Sequence, residues 1–555
     1  MDVDVVVIGS GAGGLTAAVA LAQQGKKVVV CEQHYVPGGF CHSFTLGGYR
    51  FSPGVHYIGE LGEGGMMRRI YEGLGVSADL VWSELNPDGY DHVIVGDERF
   101  DVPRGVDNYI RRLEDRFPAE KQGIRDYFEV VQGLPRELDK LLAIRSAKDA
   151  IKAVPKLRYT RRWAMATGGS LINSHVKDPF LRAILGAQTG DNGLPPCEVS
   201  APIHAAVVNH YLRGAWYPQG GGGSIPRAFV KALKAAGGEL RLSTSVDKIL
   251  VEDKRAMGVR LTDGTEIRAA HVLSNADPAM TYGKLIDQAE LPWQMRRKVR
   301  KVKWSTSCLS LFAATDMDLG AAGLDSGNYW LYAHDDLDSI YKSGNSGAGL
   351  SKPVPEGMFL TATNLKDPTK RRNHGGTDHF TFEAFCFVGY DAFSKWADRV
   401  HGLPQAAPDR EVAPADYRAL KEDLAGKLLA GVERLVTGIS DRVVFSEVGT
   451  PLSNEYYCAA HRGALYGIDK TRTQVGPLAF QVKSPIKGLH LCGASTISHG
   501  VAGATMSGLI AAGAILRCSP YDVLNQAGPA TRIYPADDLS AWPARYQRRA
   551  GKKAA

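Results

Sequence analysis

Near its start the sequence reads Gly9-Ser10-Gly11-Ala12-Gly13-Gly14, with Ala18 four residues on and Glu32 eighteen residues after Gly14. That spacing suits the binding of an anion. Gly9 permits a tight turn, and Gly11 offers no side chain to an approaching pyrophosphate. Gly14 and Ala18 let a helix lie close on a strand. Backbone N–H groups at the helix start, Ala12 and Gly13 among them, then face the phosphates, aided by the positive end of the helix dipole. A carboxylate at the end of the next strand, here Glu32, accepts from ribose hydroxyls. The flanks agree with this reading. Val3–Gly9 is a nearly continuous apolar run, as in a strand buried on both faces. A small-residue helix should run to about Gln24 and stop at Gly25, and Lys27–Cys31 forms a second strand. These residues predict a dinucleotide-binding βαβ unit.

A second group of residues has acid–base character. Residues 37–65 hold nine glycines and two prolines, yet His56 and Tyr57 stand in the middle, with Glu60 and Glu63 close behind. Either ring carries an exchangeable proton suited to general acid catalysis. His499, beside Gly500, is a third candidate. Cys41 reads as a small buried hydrophobe. The sequence contains no HExxH, CxxC or GxSxG pattern, so neither a metal centre nor a serine nucleophile is expected.

The elements that must position these groups are scattered. The regular βα units of an NAD domain do not follow Glu32. Residues 105–165 read as helical. Gly220–Gly223 is a glycine loop with no clear strand leading into it. Ile225–Ala236 is a helix, followed by strand-like runs at Glu239–Leu242, Val246–Glu252, Gly258–Leu261 and Thr265–Leu273. The stretch 285–480 has no clear period, and 400–414 looks like a surface loop. Gly488–Cys492 is another buried strand, with a helix starting near Gly503. A nucleotide domain whose last strand lies near the C-terminus is the FAD arrangement. The expected organisation is an α/β protein with an FAD-binding domain from 1–75, 217–285 and 485–520. An intergrown α+β substrate domain takes 76–216 and 286–484, and 521–555 is a C-terminal tail.

Composition adds bounds. With 62 glycines, 8 scattered cysteines and 44% apolar residues in 555, the chain is an ordinary globular protein, with no disulfide scaffold expected. The net charge of +7 is uneven. Residues 140–165 carry eight basic groups against Asp149, and 541–555 carry Arg545, Arg548, Arg549, Lys552 and Lys553 with no acid, leaving the remainder acidic. This excludes a general nucleic-acid binder. It suits a cytoplasmic protein in peripheral contact with an anionic membrane, with 140–165 as an interfacial helix that includes Trp163. The opening Met1-Asp2-Val3-Asp4 has no signal-peptide character. Val501–Leu516, sixteen residues long, reads as a buried helix and not as a membrane span.

Several patches together resemble the retinol saturase and carotenoid isomerase branch of the phytoene desaturase-like flavoproteins. They are Pro37-Gly38-Gly39-Phe40-Cys41-His42-Ser43-Phe44, Tyr49 to Gly59, Tyr217 to Gly221, Ser274-Asn275-Ala276-Asp277-Pro278, and Gly488 to Ala494 with Gly500 to Gly503 and Ser507-Gly508. Phe40 and Ser52 depart from the pattern, which has a cysteine and an acid there. The resemblance implies a glutathione reductase-type Rossmann-like domain holding FAD. Gly38 and Gly39 would belong to the cofactor loop and Val246 would offer its backbone to the adenine. Gly493 and Ala494 would lie along the ribityl and pyrophosphate, with Gly500, Val501 and Ala502 beside the flavin ring. It further implies chemistry on a C=C bond of a long apolar polyene by saturation, desaturation or isomerisation, in which His56, Tyr57 or His499 would supply a proton. An amine-oxidase-like enzyme and a non-redox prenyl-lipid carrier of the Rab escort type share the architecture. The carrier has no use for intact phosphate-binding glycines with Glu32.

Overall fold

A computed structural model describes residues 2–142, 156–370, 372–374, 377–401 and 413–551. Strand Val3–Ile8 runs between two parallel neighbours, Val28–Cys31 and Glu266–Ser274. Packed elements cover both faces of this strand, Val5 and Val7 in one apolar cluster and Val6 in another, and all three are fully buried. Glu239–Arg241 extends the sheet beside Val28–Cys31, and Leu489–Leu491 joins Glu266–Ser274. The hairpin strands Val246–Glu252 and Arg255–Leu261 complete it in antiparallel fashion. Three distant parts of the chain therefore build one sheet. Helix Ala12–Gln23 packs on Gly500–Leu516 and Ser224–Ala235. A Cβ on Gly14 would stand 2.2 Å from the Gly9 carbonyl oxygen, so only glycine lets this helix leave its strand so closely. The apolar run at 501–516 lies within that packing, with Leu509, Ala511 and Ala512 fully buried. Among the described residues no helix is long and apolar enough to cross a membrane.

The stretch without a period contributes most of a second sheet. Its order is Val443–Gly449, Ser307–Thr315, Thr377–Val388, Gly357–Thr361, Asn328–Tyr332, Asp91–Val95 and Glu98–Val102. One face packs Trp330, Phe359 and Phe385 against Lys121–Leu142 and Ala201–Tyr211. The other packs Leu309, Leu311 and Leu360 against Ala415–Glu433. A strand covered on both sides shows no polar alternation. Ser307–Thr315, buried at eight of nine positions, illustrates why the sequence pattern was silent here.

Three expectations are revised. A short strand, Trp216–Pro218, does lead into Gly220–Gly223 and pairs with Val81–Glu84. The described part of the expected tail, residues 521–551, is not merely a tail. Arg532–Pro535 pairs in parallel with Val81–Glu84, and Trp542 and Tyr546 bury themselves against Val81. Trp163 is not available to a membrane: it ends helix Arg158–Trp163, is 5% exposed, and belongs to the core beside His175. Residues 143–155 of the basic run, and 552–555 of the basic terminus, lie outside the described residues.

Candidate active site

A cavity of about 680 Å³ lies between the two sheets' neighbourhoods and collects most of the groups singled out in the sequence. Gly9, Gly11, Ala12, Glu32, Gly38, Gly39 and Val246 line it. So do Gly493, Ala494, Gly500, Val501 and Ala502, together with His56, Tyr57 and His499. Gly13 and Gly14 stand behind the wall. A Cβ on Gly13 would press on the Gly493 nitrogen and the Ala504 carbonyl oxygen, each at 2.9 Å, so close helix packing leaves no room for a side chain there.

The glycine turn is held by a residue from the far strand end. The Oδ1 of Asn275 accepts from the Gly14 N–H at 3.0 Å, and a Cβ on Gly11 would meet the Asn275 amide nitrogen at 2.6 Å. Glu32 ends its strand with a fixed carboxylate. Its Oε2 accepts from the Ser10 N–H at 2.8 Å and the Ser10 hydroxyl at 2.6 Å, and its Oε1 from the His34 N–H at 2.9 Å. Of the roughly four acceptor positions on a carboxylate, one remains. Helices Ala12–Gln23 and Gly500–Leu516 both start at the cavity, and neither N-cap residue, Gly11 or His499, caps its helix with a side chain. Such helix starts present N–H groups and positive dipole to an anion.

The other part of the wall is aromatic and carboxylic. Tyr57 stacks on Tyr211 with ring centroids 4.3 Å apart. Its hydroxyl lies 2.9 Å from Asp191 Oδ2 and 3.4 Å from Asp91 Oδ2. Burial first, and the two carboxylates next, push the Tyr57 phenol well above its ordinary pKa. Burial and the charge of Asp91 push the Asp191 carboxyl up to about 8. Asp91, also buried, is raised only to about 6, because Asn328 and Gln188 donate to it at 3.0 and 3.2 Å. His499 Nε2 donates to the Asp191 carbonyl at 2.6 Å, and burial with nearby Lys470 pulls this imidazole down to about 3, so it is neutral. His56 Nδ1 lies 3.2 Å from Glu383 Oε2. The His56 carbonyl accepts from the buried Lys366 at 2.8 Å, and Lys366 also donates to Asn328 Oδ1. Burial lowers the Lys366 amine to about 7, against the opposing pull of Asp91 and Glu383.

Sequence reasoning missed Asp91, Asp191, Lys366 and Glu383. None lies in a motif. The one local signal was the turn Gly190-Asp191-Asn192-Gly193, an acid between glycines, which by itself reads as a surface loop. No group of three His, Cys, Asp or Glu able to hold a metal ion occurs among the described residues.

The fold and this cavity define a flavoenzyme. The chain belongs to the flavin containing amine oxidoreductase family, whose model matches residues 12–516, and it is an FAD-dependent oxidoreductase. It is similar to the all-trans-retinol 13,14-reductase of Danio rerio, 32% identical over 540 residues that cover 93% of this chain and 86% of that protein. It is also similar to the chloroplastic prolycopene isomerase of Arabidopsis thaliana, 26% identical over 522 residues, 92% of this chain and 82% of that one. Among solved structures, putrescine oxidase shares the fold with a TM-score of 0.59 at 16% identity, over 93% of this chain and 99% of that chain. The residues present fit FAD. Gly11 leaves a side-chain-free wall, Glu32 keeps a free acceptor position, and two helix starts whose N-cap residues make no side-chain cap face the cavity.

Proposed function

We propose that this chain adds hydrogen across a C=C bond of a long apolar polyene of the retinoid or carotenoid kind. The observation that carries the reading is the pairing of Tyr57 with the buried carboxyl of Asp191 in a wall otherwise rich in Phe359, Phe385, Ile58 and Val207. An apolar wall solvates a polyene, and a proton-holding pair in it serves addition of a proton to carbon. When bound, FAD supplies hydride-transfer chemistry. Glu32 would hold its ribose, and the N–H groups at Gly11 and Ala12 its phosphates. Gly493, Ala494 and the start of Gly500–Leu516 would line the flavin. In this reading His499, neutral and bonded to the Asp191 carbonyl, positions that residue and does not give up a proton itself. His56, with Glu383 at 3.2 Å, orders the loop that carries Tyr57. The names of the relatives support the polyene over an amine.

Access from a lipid surface accords with the cavity reaching Pro135 and Leu138 on helix Lys121–Leu142, which leads toward the basic run. The test is anaerobic incubation of the reduced holoenzyme with a panel of retinoids and carotenes, followed by mass analysis. Addition of hydrogen gives a product two mass units heavier. A lighter product, or an isomer of unchanged mass, would contradict the direction proposed.

A further inference from the structure

We propose that Asp191 stores the proton delivered to the substrate and passes it through the Tyr57 hydroxyl, with Asp91 as the charged partner that keeps the proton on Asp191. This rests on the reading that the enzyme adds hydrogen to a C=C bond.

Tyr57 alone is poorly suited to giving up a proton. A phenol in an apolar wall beside two carboxyls is a weak acid, and as an isolated donor it would leave a buried phenolate. The carboxyls remove that difficulty. Asp191 Oδ2 at 2.9 Å is within one proton jump of the phenol oxygen. Two carboxyls that converge on one hydroxyl cannot both ionise cheaply, so one holds a proton. Hydrogen bonding selects which. Asp91 receives the side-chain amides of Asn328 and Gln188, and the charge of buried Lys366 bears on it. The only side-chain hydrogen bond described for the Asp191 carboxyl is that with Tyr57. The other groups described as bearing on Asp191 are the phenols of Tyr90, Tyr211, Tyr332, Tyr341 and Tyr466 and the neutral imidazole of His499, which bonds to its backbone. None of these supplies a cation to ionise it. Asp91 is therefore the carboxylate and Asp191 the carboxylic acid. Hydroxyl protons rotate: with Asp191 protonated, its O–H donates to the phenol oxygen, and the phenol proton turns toward the cavity that both residues line.

The step balances. Reduced FAD, when bound, would supply hydride, one proton with two electrons, to one carbon of the C=C bond. The neighbouring carbon receives the phenol proton of Tyr57, which takes the Asp191 proton in its place. The products are the saturated bond, oxidised flavin, a neutral tyrosine and the Asp191 carboxylate, which solvent reprotonates before the next turnover.

Two measurements test this. The first needs neither flavin nor substrate: thermal unfolding of wild type and Asp191→Asn across pH. A carboxyl whose pKa is raised by folding binds its proton more tightly in the folded state. The Asp191 contribution to wild-type stability must then fall as pH rises from about 4, the unfolded value, toward the folded value near 8. Asn cannot titrate, so the melting temperature of Asp191→Asn minus that of wild type should grow across this window and level off above it. The second is anaerobic reoxidation of dithionite-reduced holoenzyme by the active polyene. Wild type should slow above about pH 8. Asp191→Asn should be slower by about a hundredfold or more, with that alkaline limb gone and the flavin still bound and reducible, and Asp191→Glu should restore the limb. A stability difference that is flat with pH, or Asp191→Asn reoxidising at the wild-type rate with the wild-type limb, overturns the proposal. If Asp191→Asn does not fold, wild type still decides, since absence of the alkaline limb is equally fatal. Failure of every polyene to reoxidise the wild-type flavin brings down the functional reading and the delivery step together. The stability difference separately reports whether Asp191 carries a proton.

Discussion

Around Gly9–Gly14 the cavity wall is backbone, while around Asp191 it is side chains. In the first region the work is done by what is missing: no side chain at Gly11, no side-chain cap from Gly11 or His499 at two helix starts, and a single charge, Glu32, already held by Ser10. In the second, charges and phenols from residues 57, 91, 191 and 366 are brought together from the cofactor loop, a sheet strand, a short turn and the end of the short helix Thr363–Lys366. A nucleotide's phosphates need many weak donors in a fixed array, which a continuous turn supplies. Moving one proton needs few groups with displaced acidity, which requires burial and like-charge proximity that no continuous segment provides. The contrast teaches that binding and chemistry here rest on different physics and should fail separately.

The largest separation is expected from Gly11→Val. A side chain there meets Asn275 at 2.6 Å from its first carbon and branches into the cavity. The purified protein should be colourless by flavin absorbance, whereas changes around Asp191 should leave it yellow. Glu32→Ala is next. Losing hydrogen bonds from a charged acceptor, about 1.5–3 kcal/mol, should weaken FAD binding about ten- to a hundred-fold by titration of the apoprotein, since Ser10 and His34 also lose their acceptor. Lys366→Met reverses the pattern. It strips donors from the His56 carbonyl and Asn328, at about 1–3 kcal/mol for each acceptor left buried and unpaired, so the melting temperature should drop by several degrees with flavin content kept. The smallest effect concerns neither region but the path into them. Vesicle flotation should show binding to anionic lipid at low salt that weakens at high salt, at about 1 kcal/mol per basic group near the surface. Equal binding to neutral vesicles would remove the electrostatic part.

The same contrast governs what could be read from the sequence. The βαβ opening, Glu32, and the strand and helix at 489–516 were legible because their signals are local: glycine spacing, an apolar run, an acid in register. The second sheet was not, since Ser307–Thr315 is covered on both faces and carries no alternation. His56 and Tyr57 stood out only as polar residues in a glycine-rich loop. What makes Tyr57 chemically interesting, the carboxyls 34 and 134 residues away, has no trace in spacing. Trp163 misled for a related reason. Basic neighbours made it look interfacial, but tertiary packing buries the ring in the helical core.

Polyene chemistry at a cavity equipped to add hydrogen can be checked by following flavin absorbance in anaerobic stopped flow with two mixings. Reduced holoenzyme is mixed with a retinoid or carotene, and oxidised holoenzyme with a primary amine such as putrescine. A polyene should return the reduced flavin to its yellow form, and the amine should leave the oxidised flavin unchanged. Bleaching by the amine, with the reduced enzyme inert to every polyene, would contradict it.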